Sequence, residues 1–137
     1  PCLYKDTAQL NAFLKNSFTL GVAATKINQG FPKFIYSKMK NKFKKGLSKK
    51  KIGILGAAFK SDIDDTRDSL SIDLYHFLKK KGLKVNISDE YVIMDEIIPK
   101  NQLIKKSDII ILGAPHTSYK KIKIPKNKYL IDSWGFF

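Results

Sequence analysis

Apolar residues in the first third of the chain recur at the spacing of an α-helix. Between Thr7 and about Lys45 they lie three or four positions apart and form two successive stripes. The first stripe is Leu10, Phe13 and Leu14, and the second is Leu20, Val22, Ile27, Phe31, Phe34, Ile35 and Met39. This pattern predicts two helices, or one long helix that is broken. Ser17 or Thr19 is the predicted N-cap of the second part.

Glycine and proline mark the predicted boundaries of this helical region. Residues 30–32, Gly-Phe-Pro, predict a kink or a restart, because proline has no amide hydrogen to donate within a helix. Residues 46–48, Gly-Leu-Ser, predict the end of the helices and a linker. We therefore expect a helical segment over residues 1–46 and a second domain over residues 47–137.

Beyond Lys51 the apolar residues occur in short continuous runs. The runs at 52–56, 85–87, 108–112 and 129–131 have the length of buried strands in a parallel sheet. A helix is predicted over 69–81, where apolar residues recur at helical spacing and a glycine follows. Either Asp68 or Ser69 can cap this helix. The order of elements predicts an α/β protein, in which a helical segment precedes a Rossmann-like parallel sheet domain.

Length and composition exclude several classes of protein. A chain of 137 residues with 43% apolar and 28% charged residues can form one or two small domains. No apolar run approaches the roughly 20 residues of a membrane-spanning helix, and the start does not resemble a signal peptide. The single cysteine, Cys2, cannot form an internal disulfide, so we expect a cytoplasmic protein. Because the chain opens with Pro1 rather than methionine, we also expect a fragment of a longer protein.

The positive charge is concentrated near the amino end. Lysine and arginine number 26 against 12 acids, and residues 1–51 contain twelve lysines but a single acid, Asp6. The lysine run over 38–51 is a candidate patch for a polyanion, an anionic membrane surface or a phosphate-bearing ligand. The run contains one aromatic residue, Phe43, and no nucleic-acid-binding motif, so we expect no specific nucleic-acid partner. A solvated helix end and linker is the alternative interpretation.

Arg67 is a candidate binding residue because arginine is so rare in this chain. Of the 26 basic residues, 25 are lysine. A planar guanidinium can donate two parallel hydrogen bonds to a carboxylate or a phosphate, and lysine cannot copy that geometry. The alternative is an arginine that lies on the surface by chance.

A glycine-containing turn follows the first predicted strand. Gly53 and Gly56 match part of the dinucleotide-binding fingerprint GxGxxG, but the third glycine is missing and no helix begins at once. The turn indicates a Rossmann-like fold without ordinary NAD binding, or only tight packing of the strand against its loop. The following residues, 59–69, place Lys60, Arg67 and four acids at the carboxyl end of that strand, where open α/β sheets bind ligands.

The first residues contain a possible nucleophile. If a helix begins here, Cys2, Lys5 and Asp6 lie at positions i, i+3 and i+4 and share one face. A helix N-terminus and a neighbouring ammonium both favour a thiolate, and Asp6 could take a proton from water. An inert thiol is the alternative. No metal site is expected, because His76 and His116 lie far apart; His116 lines a ligand cleft or caps a turn.

Two of these motifs together resemble the UDP-glucose/GDP-mannose dehydrogenase family. Residues 2–6, Cys-Leu-Tyr-Lys-Asp, are similar to the end of that family's catalytic-cysteine motif, GGxCxxKD. Residues 56–69 are similar to its long and specific motif GxAFKxDxxDxRxS. The resemblance spans the chain, as a central helical dimerisation region to about residue 46 followed by a UDP-sugar-binding domain. The family's N-terminal NAD-binding domain has no counterpart in this sequence.

The resemblance implies NAD-dependent oxidation of the C6 alcohol of a UDP-sugar to the uronate. We expect UDP-glucose as the substrate, but enzymes for N-acetylmannosamine, N-acetylglucosamine and GDP-mannose share these motifs. Cys2 would attack the aldehyde intermediate to form a thiohemiacetal, and a second hydride transfer would leave a thioester that water hydrolyses. Asp6 would help to activate that water, and Lys5 lies next to both side chains in the motif.

The same resemblance assigns binding roles and a partner. Phe59 and Lys60 would bind the substrate, and Arg67 would lie near the pyrophosphate of NAD. The long helices would form a homodimer. We expect the 137 residues alone to be inactive, because the counterpart of the NAD-binding domain is missing.

Two functions of other classes remain open at this point. A basic polyanion-binding module would explain the lysine run over 38–51, but not the motif over 56–69. A noncatalytic nucleotide-sugar-binding fragment would explain that motif without any chemistry at Cys2.

Overall fold

The structure, a computed structural model, describes residues 2–15 and 17–137, except for the side chains of residues 2–4. Within these residues it contains five α-helices and four β-strands, which confirms the predicted α/β class. In chain order they are α1 (Cys2–Phe13), α2 (Thr19–Gln29), α3 (Phe31–Phe43), β1 (Lys51–Leu55), α4 (Leu70–Lys80), β2 (Lys84–Ser88), α5 (Lys100–Lys106), β3 (Ile109–Leu112) and β4 (Tyr129–Ile131). Two 3₁₀ helices lie at Lys44–Lys49 and Thr117–Lys121.

All four predicted strands are present and form one parallel sheet in the order β2-β1-β3-β4. In the centre of the sheet, Ile54 of β1 lies between Ile87 of β2 and Ile111 of β3. Both central strands are buried, apart from Lys51 at the start of β1. Because both of their faces are covered, these strands have continuous apolar sequences rather than alternating ones.

Successive strand residues pack into two cores on opposite faces of the sheet. The larger core joins α3 and α4 to the sheet through buried side chains that include Ile35, Met39, Leu74, Leu78, Ile54 and Ile111. The smaller core is formed by Leu55, Ile110, Leu112 and Tyr119. Full burial of one such aliphatic side chain is worth about 1.5–3 kcal/mol. Ile35 and Met39 therefore attach α3 to the sheet.

The amino-terminal region contains three helices where the apolar spacing predicted two, or one broken helix. The first helix begins at Cys2 rather than near Thr7. The restart predicted at 30–32 is confirmed, because α2 ends at Gln29 and α3 begins at Phe31. The predicted linker at 46–48 instead belongs to the first 3₁₀ helix and buries Leu47 in the larger core.

The predicted caps make other hydrogen bonds. The N-cap position of α2 is Phe18, and the Ser17 hydroxyl instead donates to the carbonyl of Leu14 at 2.7 Å. Ser69 does occupy the N-cap position of α4, but its hydroxyl donates to the carbonyl of Ala57 at 2.6 Å. Serine hydroxyls form several alternative bonds to nearby backbone groups, so the sequence alone did not decide between them.

Gly56 tests how closely the loops after β1 and β3 approach each other. Its φ is +97°, and a Cβ at this position would lie 2.4 Å from the backbone nitrogen of Ala114. We expect Gly56→Ala to lower the free energy of unfolding by about 1–2 kcal/mol through backbone strain. Overpacking against Ala114 should remove roughly another 1–3 kcal/mol. Urea denaturation measures both effects together.

Gly82→Ala is the matched control for this substitution. Gly82 also has a positive φ, +73°, but a Cβ there would meet no atom within 4 Å. It should therefore show only the backbone cost. Equal losses in the two variants would contradict the close approach at Gly56.

Candidate functional site

The topology of the sheet places a crevice at the ends of its two central strands. In the strand order β2-β1-β3-β4, the connection from β1 leads outward to β2 at one edge of the sheet. The connection from β3 leads outward to β4 at the opposite edge. The connections after β1 and β3 therefore lead toward opposite edges of the sheet, although the two strands are hydrogen-bonded neighbours. Open α/β sheets bind ligands in the crevice outside such a point.

A cavity of about 510 Å³ lies at this position. Contributions come from the junction of α2 and α3, the loop after β1, the start of α4, and the ends of β3 and β4. The lining residues are Asn28, Phe31, Ala58, Phe59, Lys60, Asp68, Leu70, Ser71, Gly113, Ser133 and Trp134. The volume is in the range of small-molecule sites.

The lining of this cavity combines charge with aromatic surface. Among its described residues, Lys60 is the one cation and Asp68 the one anion. Trp134 lies over the end of β3, where its indole nitrogen donates to the carbonyl of Gly113 at 3.1 Å. The site thus offers an ammonium group and aromatic side chains to the same ligand.

Arg67 makes the two-pronged contact for which arginine is suited. Its Nε and Nη2 atoms donate to the two carboxylate oxygens of Asp65 at 3.0 and 2.8 Å. These hydrogen bonds hold the pKa of Asp65 down at about 2. The Asp65 carbonyl also accepts from the amide of Phe59 at 2.7 Å, so the contact braces the loop beside the cavity.

A buried carboxylate connects this loop to the neighbouring strand. Asp89, directly after β2, accepts on one oxygen from the amides of residues 57 and 58 at 2.6 and 3.0 Å and from Nε2 of His116 at 2.9 Å. Its other oxygen accepts from the amides of residues 91 and 92 at 2.8 and 3.1 Å. Burial alone raises the pKa of Asp89, but these hydrogen bonds, that from His116 foremost, outweigh it and hold the pKa at about 2.

His116 joins the loop after β3 to both of the others. Its side chain is fully buried, and its Nδ1 accepts from the amide of Asp62 at 2.8 Å. The Asp62 carboxylate accepts in return from the hydroxyl and the amide of Thr117 at 2.5 and 2.8 Å, and these bonds lower its pKa. The loops that leave β1, β2 and β3 therefore meet at one imidazole ring.

The structure places the predicted site residues in three different situations. Phe59 and Lys60 line the cavity. Arg67 lies on the same loop with a largely exposed side chain, and it is not among the described lining residues. Lys5 and Asp6 are exposed on α1, with 3.9 Å between the ammonium nitrogen and a carboxylate oxygen.

For the predicted nucleophile, Cys2, the structure describes the backbone only. Cys2 is the first residue of α1, as the sequence predicted if a helix began there. Its side chain lies outside the described residues. The roles of Cys2, Lys5 and Asp6 therefore stay predictions.

The sequence did not lead us to Asp89, and it predicted for His116 only a place in a cleft or at a cap. Asp89 directly follows a predicted strand, so its place at the carboxyl edge of the sheet was available as a signal. His116 was considered for a cleft or a cap. It occupies the N-cap position of the second 3₁₀ helix, but its side chain makes no cap hydrogen bond. Its buried ring instead forms a hydrogen bond with Asp89.

A second cavity, of about 880 Å³, lies between α5 and the chain over 118–128. Five lysines line it, and its lining shares no described residue with the first cavity. Two of the five lysines make contacts within the protein. Lys100 forms an ion pair with Glu90, and Lys128 donates a hydrogen bond to the carbonyl of Ser107 at 2.6 Å.

The lysine run over 38–51 offers no aromatic platform for bases. Its one aromatic residue, Phe43, packs edge-on against Tyr129 with 5.2 Å between the ring centres. The ammonium group of Lys50 lies 5.8 Å from the centre of the Phe43 ring. These contacts favour the interpretation of the run as a solvated helix end.

The described part of the chain contains neither a helix that could span a membrane nor a cluster of side chains that could bind a metal ion. No helix there has both the length and the apolar character needed to cross a bilayer. No group of three or more histidine, cysteine, aspartate or glutamate side chains in those residues could hold a metal ion.

Residues 53–137 match the UDP-binding domain of the UDP-glucose/GDP-mannose dehydrogenase family. The chain is 32% identical, over 123 residues, to the UDP-N-acetyl-D-mannosamine dehydrogenase of Methanocaldococcus jannaschii. That alignment covers 80% of this chain and 28% of the relative. The chain thus spans little more than a quarter of the length of this curated relative.

Solved structures are similar to this fold. The UDP-D-ManNAc dehydrogenase from Pyrococcus horikoshii matches with a TM-score of 0.77 and 26% identity, over 89% of this chain and 30% of that one. A UDP-glucose dehydrogenase from Pyrobaculum islandicum matches with a TM-score of 0.80 and 22% identity, over 96% of this chain and 33% of that one. The second likeness bears on the fold alone.

The lowered pKa of Asp89 predicts how the stability of the fold depends on pH. Its pKa in the folded protein lies below the ordinary value near 3.8, so its stabilisation is complete above about pH 5 and is lost as the pH falls toward 2. The shift corresponds to a loss on the order of 2 kcal/mol across that window. We expect Asp89→Asn to be less stable than the wild type at pH 7, as measured by urea denaturation. The acid limb of its profile, in which the free energy of unfolding falls as the pH is lowered, should be correspondingly flatter.

Asp95→Asn is the matched control for this pH profile. Asp95 is exposed and lies on the same connection between β2 and α5. Its substitution should leave the acid limb unchanged. An acid limb in Asp89→Asn as steep as that of the wild type would contradict the assignment to Asp89.

Proposed function

Because the chain belongs to the UDP-glucose/GDP-mannose dehydrogenase family, we propose that its cavity binds the nucleotide of a UDP-sugar and that the complete protein oxidises that sugar at C6. The observation that carries the proposal is the cavity at the carboxyl ends of β1 and β3, lined by Phe59 and Lys60. The family match and the reversal of strand order between β1 and β3 both point to this crevice.

The chemistry of the cavity suits a nucleoside diphosphate. The Lys60 ammonium can donate to the pyrophosphate. Phe31, Phe59 and Trp134 offer ring surfaces to a base or a ribose. Asp68 can accept from sugar hydroxyls. A ligand held in this way would lie between the junction of α2 and α3 and the carboxyl edge of the sheet.

The catalytic part of the proposal concerns the start of α1. We assign nucleophilic attack on the aldehyde intermediate to Cys2, and activation of the hydrolytic water to Asp6. Support comes from the motif over residues 2–6, which lies within α1. The exposed Lys5 ammonium adds positive charge on the same helix.

NAD is the cofactor of the proposed reaction and accepts the hydrides. The turn after β1 does not fit the usual cradle for a dinucleotide, because a third glycine is missing and the next helix begins only at Leu70. Arg67 does fit a contact with a cofactor phosphate, since its guanidinium is largely exposed and oriented by Asp65. We assign to Arg67 a contact with NAD that is held mainly by another domain.

Two sugars are candidates for the substrate. UDP-glucose is the substrate that we expected from the family resemblance. UDP-N-acetylmannosamine is the second candidate, since the relative from Methanocaldococcus jannaschii, 32% identical over 80% of this chain, is named for it. Calorimetric titration with each sugar nucleotide, and with GDP-mannose for comparison, decides between them.

A homodimer through the helices is part of the proposal. Large apolar side chains of α1 and α2 remain exposed, with Phe13, Leu20 and Ile27 at 83%, 73% and 77%. Soluble proteins seldom leave several such side chains close together in water. Leu20 and Ile27 lie seven positions apart on one face of α2, so a second copy of the chain can cover both.

Lys60 tests nucleotide binding. We expect Lys60→Gln to lower the affinity for the UDP-sugar about tenfold, because a hydrogen bond from a charged donor is worth roughly 1.5–3 kcal/mol. Isothermal titration of the 137-residue chain measures the change. Lys80→Gln, an exposed lysine near the far end of α4, should leave affinity unchanged. An equal loss in both variants would reduce the effect to overall charge and count against the site.

The apolar helix face tests dimerisation. We expect Leu20→Glu combined with Ile27→Glu to give a monomer in sedimentation equilibrium, because two charges would have to be buried in the interface. Ile93→Glu is the control: Ile93 is 99% exposed and lies outside the helices. A wild-type chain that sediments as a monomer would disprove this part of the proposal.

A further inference from the structure

We propose that His116 is a positioning residue, which sets the conformation of the substrate-binding loop through its hydrogen bond to the amide of Asp62. This inference rests on the proposed function, since Lys60 of the same loop is the proposed nucleotide ligand. His116 lies outside the described lining of the cavity. Its effect on a ligand would therefore pass through the loop.

The hydrogen bonds determine which nitrogen of His116 carries the proton. The Asp89 carboxylate is ionised and can only accept, so Nε2 must donate to it. The backbone nitrogen of Asp62 can only donate, so Nδ1 must accept. Both contacts are satisfied by the neutral ring with its proton on Nε2. Asp89 thus selects the tautomer that leaves Nδ1 available to Asp62.

The backbone at Asp62 needs such support. Its φ is +58°, in the left-handed region that costs a residue other than glycine about 1–2 kcal/mol. Nδ1 of His116 holds its amide, while Thr117 and the hydroxyl of Tyr91 donate to its carboxylate. Groups from the loops after β2 and β3 therefore hold this strained residue of the loop after β1.

The strained residue lies beside the proposed ligand group. Asp62 comes two positions after Lys60 in a loop that the Phe59 amide also closes by donating to Asp65. Without the bond to Nδ1, Asp62 can relax to a negative φ. That change would redirect the chain at Lys60, while the core beneath it stays packed.

A purely structural role for His116 is the competing explanation. The ring is fully buried and packs against Tyr91 and Tyr119, with 4.9 and 5.0 Å between ring centres. In that case, any substitution would lower affinity only as far as it lowers stability. The two nitrogens make separable contacts, so the two explanations can be tested apart.

Asparagine and glutamine each preserve one of the two contacts. The side-chain oxygen of His116→Asn can occupy the position of Nδ1 and accept from Asp62, but no group then reaches Asp89. The side-chain nitrogen of His116→Gln can occupy the position of Nε2 and donate to Asp89, but the acceptor for Asp62 is lost. We measure UDP-sugar affinity by calorimetry, stability by urea denaturation, and exchange of the Asp62 amide by NMR.

If His116 positions the loop, the two variants should rank in one order by affinity and in the opposite order by stability. His116→Gln should keep more of the stability yet bind the UDP-sugar about tenfold more weakly, with faster exchange at Asp62. His116→Asn should lose more stability yet stay within about threefold of wild-type affinity, with the Asp62 amide still protected. These shifts are expected at a pH where both variants are fully folded.

Three results would overturn parts of the account. Affinity that follows stability in both variants would overturn the positioning role, as would an unprotected Asp62 amide in the wild type. A wild-type chain with a protected Asp62 amide but no affinity for any UDP-sugar would overturn the proposed function instead.

Discussion

A buried, ionised carboxylate organises the functional edge of this protein. Asp89 lies where the sheet gives way to loops, and it accepts hydrogen bonds from residues 57–58, from residues 91–92 and from His116. A buried charge without partners would be strongly unfavourable, so each partner must stay in place while the protein is folded. The loops after three different strands are therefore held to one another by a single side chain.

The shape of the cavity follows from this constraint and from the strand order. Parallel strands bring their carboxyl ends to one edge, and the reversal of strand order between β1 and β3 opens the crevice there. The close approach of Gly56 to Ala114 leaves no room for a side chain between the first residues of the two loops. The polar loop that carries Lys60 can thus border a cleft without collapsing into it.

The surface divides into regions of different physical character. The helices present exposed apolar residues such as Phe13 and Ile27, whereas the face that carries α5 has a cavity lined by five lysines. Carboxylates are instead concentrated in the loop over 59–69, where Asp65 and Asp62 each have defined donors. Four of the twelve acidic residues therefore lie in the loop that borders the cavity, and one of these four, Asp68, is among the described lining residues.

Much of the fold and part of the site were predictable from the sequence. Periodicity located the four strands and α4, because short-range spacing and residue type carry that information. The family resemblance of residues 56–69 pointed to Phe59 and Lys60, which line the cavity, and to Arg67, which is not among the described lining residues. Only the tertiary structure showed that Ser17 and Ser69 use their hydroxyls elsewhere and that Asp89, His116 and Asp62 form one network. The members of that network are separated by 27 and 54 residues in sequence. No local pattern encodes their contacts, which arise only when parallel strands bring distant loops to the same edge.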